Sequence, residues 1–119
     1  MTVKLVDSEI KVMNVLWERG DMTAKEISNI LNDTVGWNIN TTYTLIKRCI
    51  KKGAIKRTEP KFMCHALIEK EKIQEQETKE FIAKIFDGSA EMLFASLLNS
   101  GNLSNKEIER LKQLVKEME

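Results

Sequence analysis

The stretch Trp37-Asn38-Ile39-Asn40-Thr41-Thr42-Tyr43-Thr44-Leu45-Ile46-Lys47-Arg48-Cys49-Ile50-Lys51-Lys52-Gly53 decides how this chain is read. Thr42, Leu45, Ile46, Cys49 and Ile50 recur at steps of three and four, which puts them on one side of a helix spanning about Asn40 to Lys52. Gly53 ends it, because glycine accepts the left-handed conformation that closes a helix. With the apolar stripe removed, Asn40, Thr41, Tyr43, Thr44, Lys47, Arg48 and Lys51 remain. An amide and small hydroxyls come early and cations come late. A helix that enters the major groove of DNA needs this order, with its front towards base edges and its rear cations near phosphates.

Upstream lie two shorter helices. The first runs from Asp7 or Ser8 to about Arg19, with Ser8 as cap, Ile10, Met13, Leu16 and Trp17 on one side, and Gly20 as the stop. The second opens on Thr23 and Glu26, spaced as a capping box, and buries Ile27, Ile30 and Leu31. Residues 32–38 form a polar connector. Downstream the period shortens: Ala54 to Thr58 and Phe62 to Leu67 flank Glu59-Pro60-Lys61, which reads as a hairpin with a charged tip. Three helices followed by a hairpin is the order of a winged helix-turn-helix, with Lys56, Arg57 and Lys61 on the wing. The fold expected is mainly α: a winged helix-turn-helix over residues 1–68, then a C-terminal helical dimerisation region over 69–119.

Charge supports the same reading. The net charge of +1 is unevenly spread, since residues 1–70 sum to +4 and residues 71–119 to −3. Residues 40–61 alone sum to +6, a concentration that a polyanion would favour. A chain of 119 residues is too short for a barrel enzyme or a two-domain dinucleotide enzyme. Its 42% apolar and 31% charged residues exclude disorder. The longest apolar run, Met92 to Ala95, falls far short of the ~20 residues of a membrane span. Met1-Thr2-Val3-Lys4 does not begin a secretory signal, so a cytoplasmic location is expected, with Cys49 and Cys64 as reduced thiols.

The C-terminal part reads as three helices: residues 69–86 with Ile73, Phe81, Ile82, Ile85 and Phe86; Ser89 to Leu98 with Met92, Leu93, Phe94, Leu97 and Leu98; and a last one opened by the capping pair Ser104 and Glu107, carrying Ile108, Leu111, Leu114, Val115 and Met118. Helices this short are marginal alone, and their apolar faces exceed what soluble monomers expose. Pairing with a second copy solves both problems and is favoured over the alternative, in which these helices fold back on the N-terminal domain. The expected dimer contacts are Phe81, Ile85, Leu93, Leu97, Ile108, Leu111 and Leu114.

The run from Trp37 to Arg48 with Lys52-Gly53 resembles the recognition-helix signature of the BlaI/MecI/CopY repressors: a Trp ahead of the helix, Thr-x-x-Thr, an Arg and a closing Lys-Gly. Asp7-Ser8-Glu9 with Val12-Met13 and Leu16-Trp17 is similar to that family's first helix, and Leu103-Ser104 with Glu107-Ile108 and Leu111 to its last. The resemblance implies a homodimeric repressor on dyad operator DNA in front of β-lactam resistance genes. It further implies a membrane-bound sensor protease as a partner, relieving repression by cleavage in the dimerisation helices. The family is cut at an Asn-Phe bond; the aligned bond here is Ser96-Leu97, with Ser in place of Asn. Tyr43 stands where relatives carry an Arg that helps to read bases. The paired Cys-x-Cys motifs of the copper-responsive branch have no counterpart, since no cysteine follows Cys64.

Neither metal nor cofactor is expected. His65 is the only histidine, and strand neighbours such as Cys64 and His65 point to opposite faces. Trp17, Trp37 and Cys49 read as packing residues. No carboxylate pair, nucleophile-base pair or phosphate loop suggests an enzyme or a small-molecule substrate. The competing reading is a winged-helix protein-interaction module without specific DNA binding, which would make Tyr43 an interface aromatic.

Overall fold

In the computed structural model, which describes residues 2–119, the elements follow the order α1 (Asp7–Arg19), β1 (Met22–Thr23), α2 (Ala24–Thr34), α3 (Ile39–Lys51), β2 (Ile55–Thr58), β3 (Met63–Ala66), α4 (Lys70–Ile85), α5 (Ala90–Asn99) and α6 (Asn105–Met118). The chain divides into two compact units, the first ending at Glu75 and the second comprising Gln76–Glu119.

In the first unit, α1, α2 and α3 surround a core of Leu5, Val12, Met13, Leu16, Ile27, Leu31, Leu45, Ile46, Cys49, Ile55 and Cys64. Ile73, on the first turn of α4, is buried in the same core. The expected stripe of α3 is buried at Thr42, Leu45, Ile46 and Cys49, with Ile50 partly covered. Asn38 caps α3 by accepting from the Thr41 amide at 2.8 Å. Gly53 (φ 83°) lets the chain reverse, so that the Ala54 amide donates to the Cys49 carbonyl and the strand departs at once.

Local details differ from the sequence reading: on α1 Val12 and Val15 are buried with Met13 and Leu16, whereas Ile10 and Trp17, like Ile30 on α2, are only partly covered. Ser8 is not the cap of α1: the helix starts at Asp7 and its cap position is Val6, two residues before Ser8; the Val6 amide donates to Glu9 Oε1 at 2.8 Å. The carboxylate of the third helical residue thus reaches back to the amide of the residue that precedes the helix, the reciprocal half of a capping box, with no cap hydroxyl taking part. The hairpin is also part of a larger sheet. Met22 and Thr23 pair antiparallel with Cys64 and Met63, giving the order β1-β3-β2. The hairpin register is Ile55 with Ala66, Lys56 with His65, Arg57 with Cys64 and Thr58 with Met63. The capping box of Thr23 and Glu26 forms as expected, so the residue that ends β1 also begins α2.

The second unit holds α5, α6 and the latter half of α4. Ser89 and Ser104 cap their helices, and Glu107 completes a capping box. Among the described residues, none of α5 or α6 is buried. Phe94, Leu98, Ile108, Leu111 and Val115 line an apolar groove of about 410 Å³ between these two helices. No described helix is long and apolar enough to cross a membrane.

Candidate nucleic-acid interface

The stripe that buries α3 also fixes what its other side presents. Side chains advance by a third of a turn or less per residue, so the direction opposite Thr42, Leu45, Ile46 and Cys49 carries Asn40, Thr44, Lys47 and Lys51. All four are exposed. Thr41 and Arg48 lie on one flank and Tyr43 on the other.

The first flank faces α1. Ser8, Trp37, Asn38, Asn40, Thr41, Thr44, Leu45 and Arg48 line an open concavity of about 460 Å³. Trp37 is held as one wall, partly buried against the core, while its carbonyl accepts from Asn32 Nδ2 at 2.9 Å. The concavity thus joins the amide and hydroxyls at the front of α3 to a guanidinium one turn on and to the start of α1.

The second flank faces the wing. Tyr43 meets Phe62 edge to face, with ring centroids 5.7 Å apart and an interplanar angle of 82°. The Arg57 guanidinium carbon lies 3.6 Å from the centroid of the same Phe62 ring. Arg57 also pairs with Glu59 at 2.7 Å. The second oxygen of Glu59 accepts from the Phe62 amide, and that bond, then Arg57, hold the Glu59 carboxyl below its ordinary pKa. Lys61 stands exposed at the tip with φ 69°.

The cations of the basic window therefore divide. Lys52, at the end of α3, turns away from the exposed face: its Nζ donates to the buried Glu9 carboxylate at 2.6 Å and to the Lys4 carbonyl at 2.9 Å. Arg57 is shared with Glu59. Among the described residues, Lys47, Arg48, Lys51, Lys56 and Lys61 are exposed and form no ion pair. Every α3 residue singled out from sequence is exposed or, for Tyr43, half-buried. The roles of Phe62 and Glu59 beside α3 leave no mark in the sequence, because nothing in a hairpin tip announces a contact with a helix about twenty residues earlier.

Cys64 and His65 part as strand neighbours do. Cys64 is fully buried, whereas His65 Nδ1 lies 2.8 Å from Asp21 Oδ2 and its Nε2 lies 2.7 Å from Thr58 Oγ1. Among the described residues, no group of three or more His, Cys, Asp and Glu is arranged to hold a metal ion.

A three-helix core with a hairpin wing and an exposed, cation-bearing third helix is a winged helix-turn-helix domain. The solution structure of the DNA-binding domain of the repressor BlaI has the same fold, with a TM-score of 0.56 and 27% identity over 60% of this chain and 90% of that one. The Bacillus licheniformis BlaI monomer in complex with the blaP half-operator matches with a TM-score of 0.54 and 27% identity over the same shares. The family model described as penicillinase repressor matches residues 5–117, and the chain belongs to that family of DNA-binding transcriptional repressors. The methicillin resistance regulatory protein MecI of Staphylococcus aureus is 30% identical over 116 residues, 96% of this chain and 94% of the relative. The penicillinase repressor of Bacillus licheniformis is 27% identical over 116 residues, 96% of this chain and 91% of the relative.

Proposed function

We propose that this chain is a homodimeric transcriptional repressor that binds dyad-symmetric operator DNA and controls β-lactam resistance genes. The observation that carries this reading is the exposed face of α3, where Asn40 and Thr44 precede Lys47 and Lys51 and, among the described residues, no carboxylate is paired to either cation. Asn40, Thr41, Tyr43 and Thr44 meet base edges, while Lys47, Arg48 and Lys51, with Arg57 and Lys61 from the wing, meet phosphates. The half-operator bound by the BlaI relative supports a site of this kind.

In this reading residues 1–68 bind DNA and residues 69–119 dimerise through Phe81, Ile85, Leu93, Leu97, Ile108, Leu111 and Leu114. The apolar groove between α5 and α6 supports it, as does the exposure of Phe81, Ile85 and Leu114, each about half accessible. A second copy would cover surfaces that a soluble monomer keeps from water. The repressor works in the cytoplasm, and a membrane-bound sensor protease relieves repression by cutting Ser96-Leu97. That bond lies inside α5, so cleavage requires this exposed helix to open locally.

The test is selection of duplexes from a randomised pool on the purified protein, followed by competition with scrambled duplexes and by sedimentation. Enrichment of a dyad, affinity that falls steeply with salt, and a mass about twice 13.7 kDa are expected. Equal affinity for selected and scrambled duplexes would reject specific readout, and a monomer at micromolar concentration would reject the dimer.

A further inference from the structure

We propose that Phe62 is a positioning residue for DNA binding: Tyr43 on α3 and Arg57 on β2 both grip its ring, and this clasp sets where the wing cation stands relative to the recognition helix. The inference rests on the DNA-binding reading above and adds how two separate elements are held to one duplex.

The backbone marks the position first. Lys61 and Phe62 take φ values of 69° and 54°, consecutively left-handed. A bulky aromatic is an unusual occupant of that region, which Gly or Asn enters with less strain. What holds it there is visible. The Phe62 amide donates to Glu59 Oε2 at 3.2 Å, and its carbonyl accepts from the Ala24 amide, at the start of α2, at 3.0 Å. The ring then packs against the core beside Tyr43.

The ring does more than fill space. Arg57 ends in a flexible side chain, and a cation on a short strand would otherwise sample many positions. Stacked 3.6 Å above Phe62 and held from the side by Glu59, its planar guanidinium has a defined place. Through Tyr43 that place is referred to α3. A phosphate that reaches Arg57 therefore does so at a fixed offset from the bases facing Asn40 and Thr44. Pre-ordering of this kind lowers the entropy lost on binding.

The experiment uses the full-length chain and a duplex selected on the wild-type protein, with affinity measured over a series of salt concentrations. Arg57→Lys keeps the charge but not the planar stacking surface. Exposed as Arg57 is, its replacement leaves the core untouched. The clasp predicts that Arg57→Lys loses nearly as much affinity as Arg57→Ala, about tenfold, with the salt slope falling by about one phosphate contact. Phe62→Leu should do the same, Phe62→Tyr should restore binding, and Phe62→Leu with Arg57→Ala should be no weaker than Arg57→Ala alone. Thermal melts identify any variant that has lost its fold, and Arg57→Lys then decides. Wild-type affinity and slope for Arg57→Lys, or multiplying losses for a folded Phe62→Leu with Arg57→Ala, overturn the clasp while leaving DNA binding intact. A wild-type protein that does not prefer its selected duplex overturns both.

Discussion

Lys52, at the end of α3, reaches back across forty-three residues to the Glu9 carboxylate, 2.6 Å away. Glu9 is 1% exposed, whereas the Lys52 side chain is 36% exposed. The two partners are therefore unequal in what they lose when separated. Without Glu9, Lys52 can return to water. Without Lys52, a carboxylate is left in the core with only the Val6 amide to satisfy it. Lys52→Ala should destabilise the fold by about 2–3 kcal/mol and Glu9→Gln by about 1 kcal/mol, read from denaturant midpoints. A larger loss for Glu9→Gln would reverse this account.

The same pair gives a pH dependence. Burial raises the Glu9 pKa, but the Lys52 hydrogen bond, the Val6 amide and the charges of Lys52 and Arg48 outweigh it, leaving the carboxyl below its ordinary value of 4.5. Between the two values the unfolded chain binds more protons, so stability rises with pH. The contribution of Glu9 is complete above 4.5 and fades as the pH falls through the lowered value. The stability gap between wild type and Glu9→Gln should accordingly shrink below that pH; a gap that widens in acid would contradict it.

Thr42 is fully buried on α3, and its hydroxyl finds no partner among the described residues. An unsatisfied buried hydroxyl is destabilising, and valine offers nearly the same shape without it. Thr42→Val should raise stability by about 1 kcal/mol with an unchanged denaturant slope and unchanged DNA affinity. A lowered midpoint would mean that the hydroxyl is bonded through water.

On the exposed side of α3, position should separate two kinds of loss. Arg48→Ala should weaken binding to selected and scrambled duplexes alike and reduce the salt slope by about one. Thr44→Ala should change the ranking among duplexes at nearly constant slope. If Arg48→Ala alters ranking and Thr44→Ala does not, the division between phosphate and base contacts is assigned the wrong way round.

Both thiols should be silent in the native protein. Burial, with Glu9 adding to it, pushes Cys49 up to about 12, and burial pushes Cys64 up to about 11. A thiol reagent attacks the thiolate, and neither cysteine supplies it near neutral pH. Labelling is expected only after unfolding, counted by mass spectrometry. Rapid labelling of the folded chain would show that the core opens at β3 or α3.

The parts legible in the sequence are those whose causes lie within a few residues. The period of Thr42, Leu45, Ile46 and Cys49 exposes the face of α3, and the pairs Thr23 with Glu26 and Ser104 with Glu107 mark two helix starts. Long-range causes were not legible. Two residues, Met22 and Thr23, are too few to announce a strand; β3 recruits them. Ser8 has the chemistry of a cap, yet Glu9 serves Val6, in a position where it also meets Lys52. The charge of Lys52 counted towards the basic window although its partner lies in the core. The contact of Tyr43 with Phe62 depends on how the wing folds back.

The placement of the two tryptophans has a practical consequence. Trp17 is pinned by its indole, which donates to the Ile68 carbonyl at 2.9 Å, whereas Trp37 forms a wall of the open concavity beside Arg48. A duplex bound as proposed would change the surroundings of one indole and spare the other. The chain would then carry its own optical reporter with an internal reference, and occupancy of the proposed site could be followed by emission without attaching a dye.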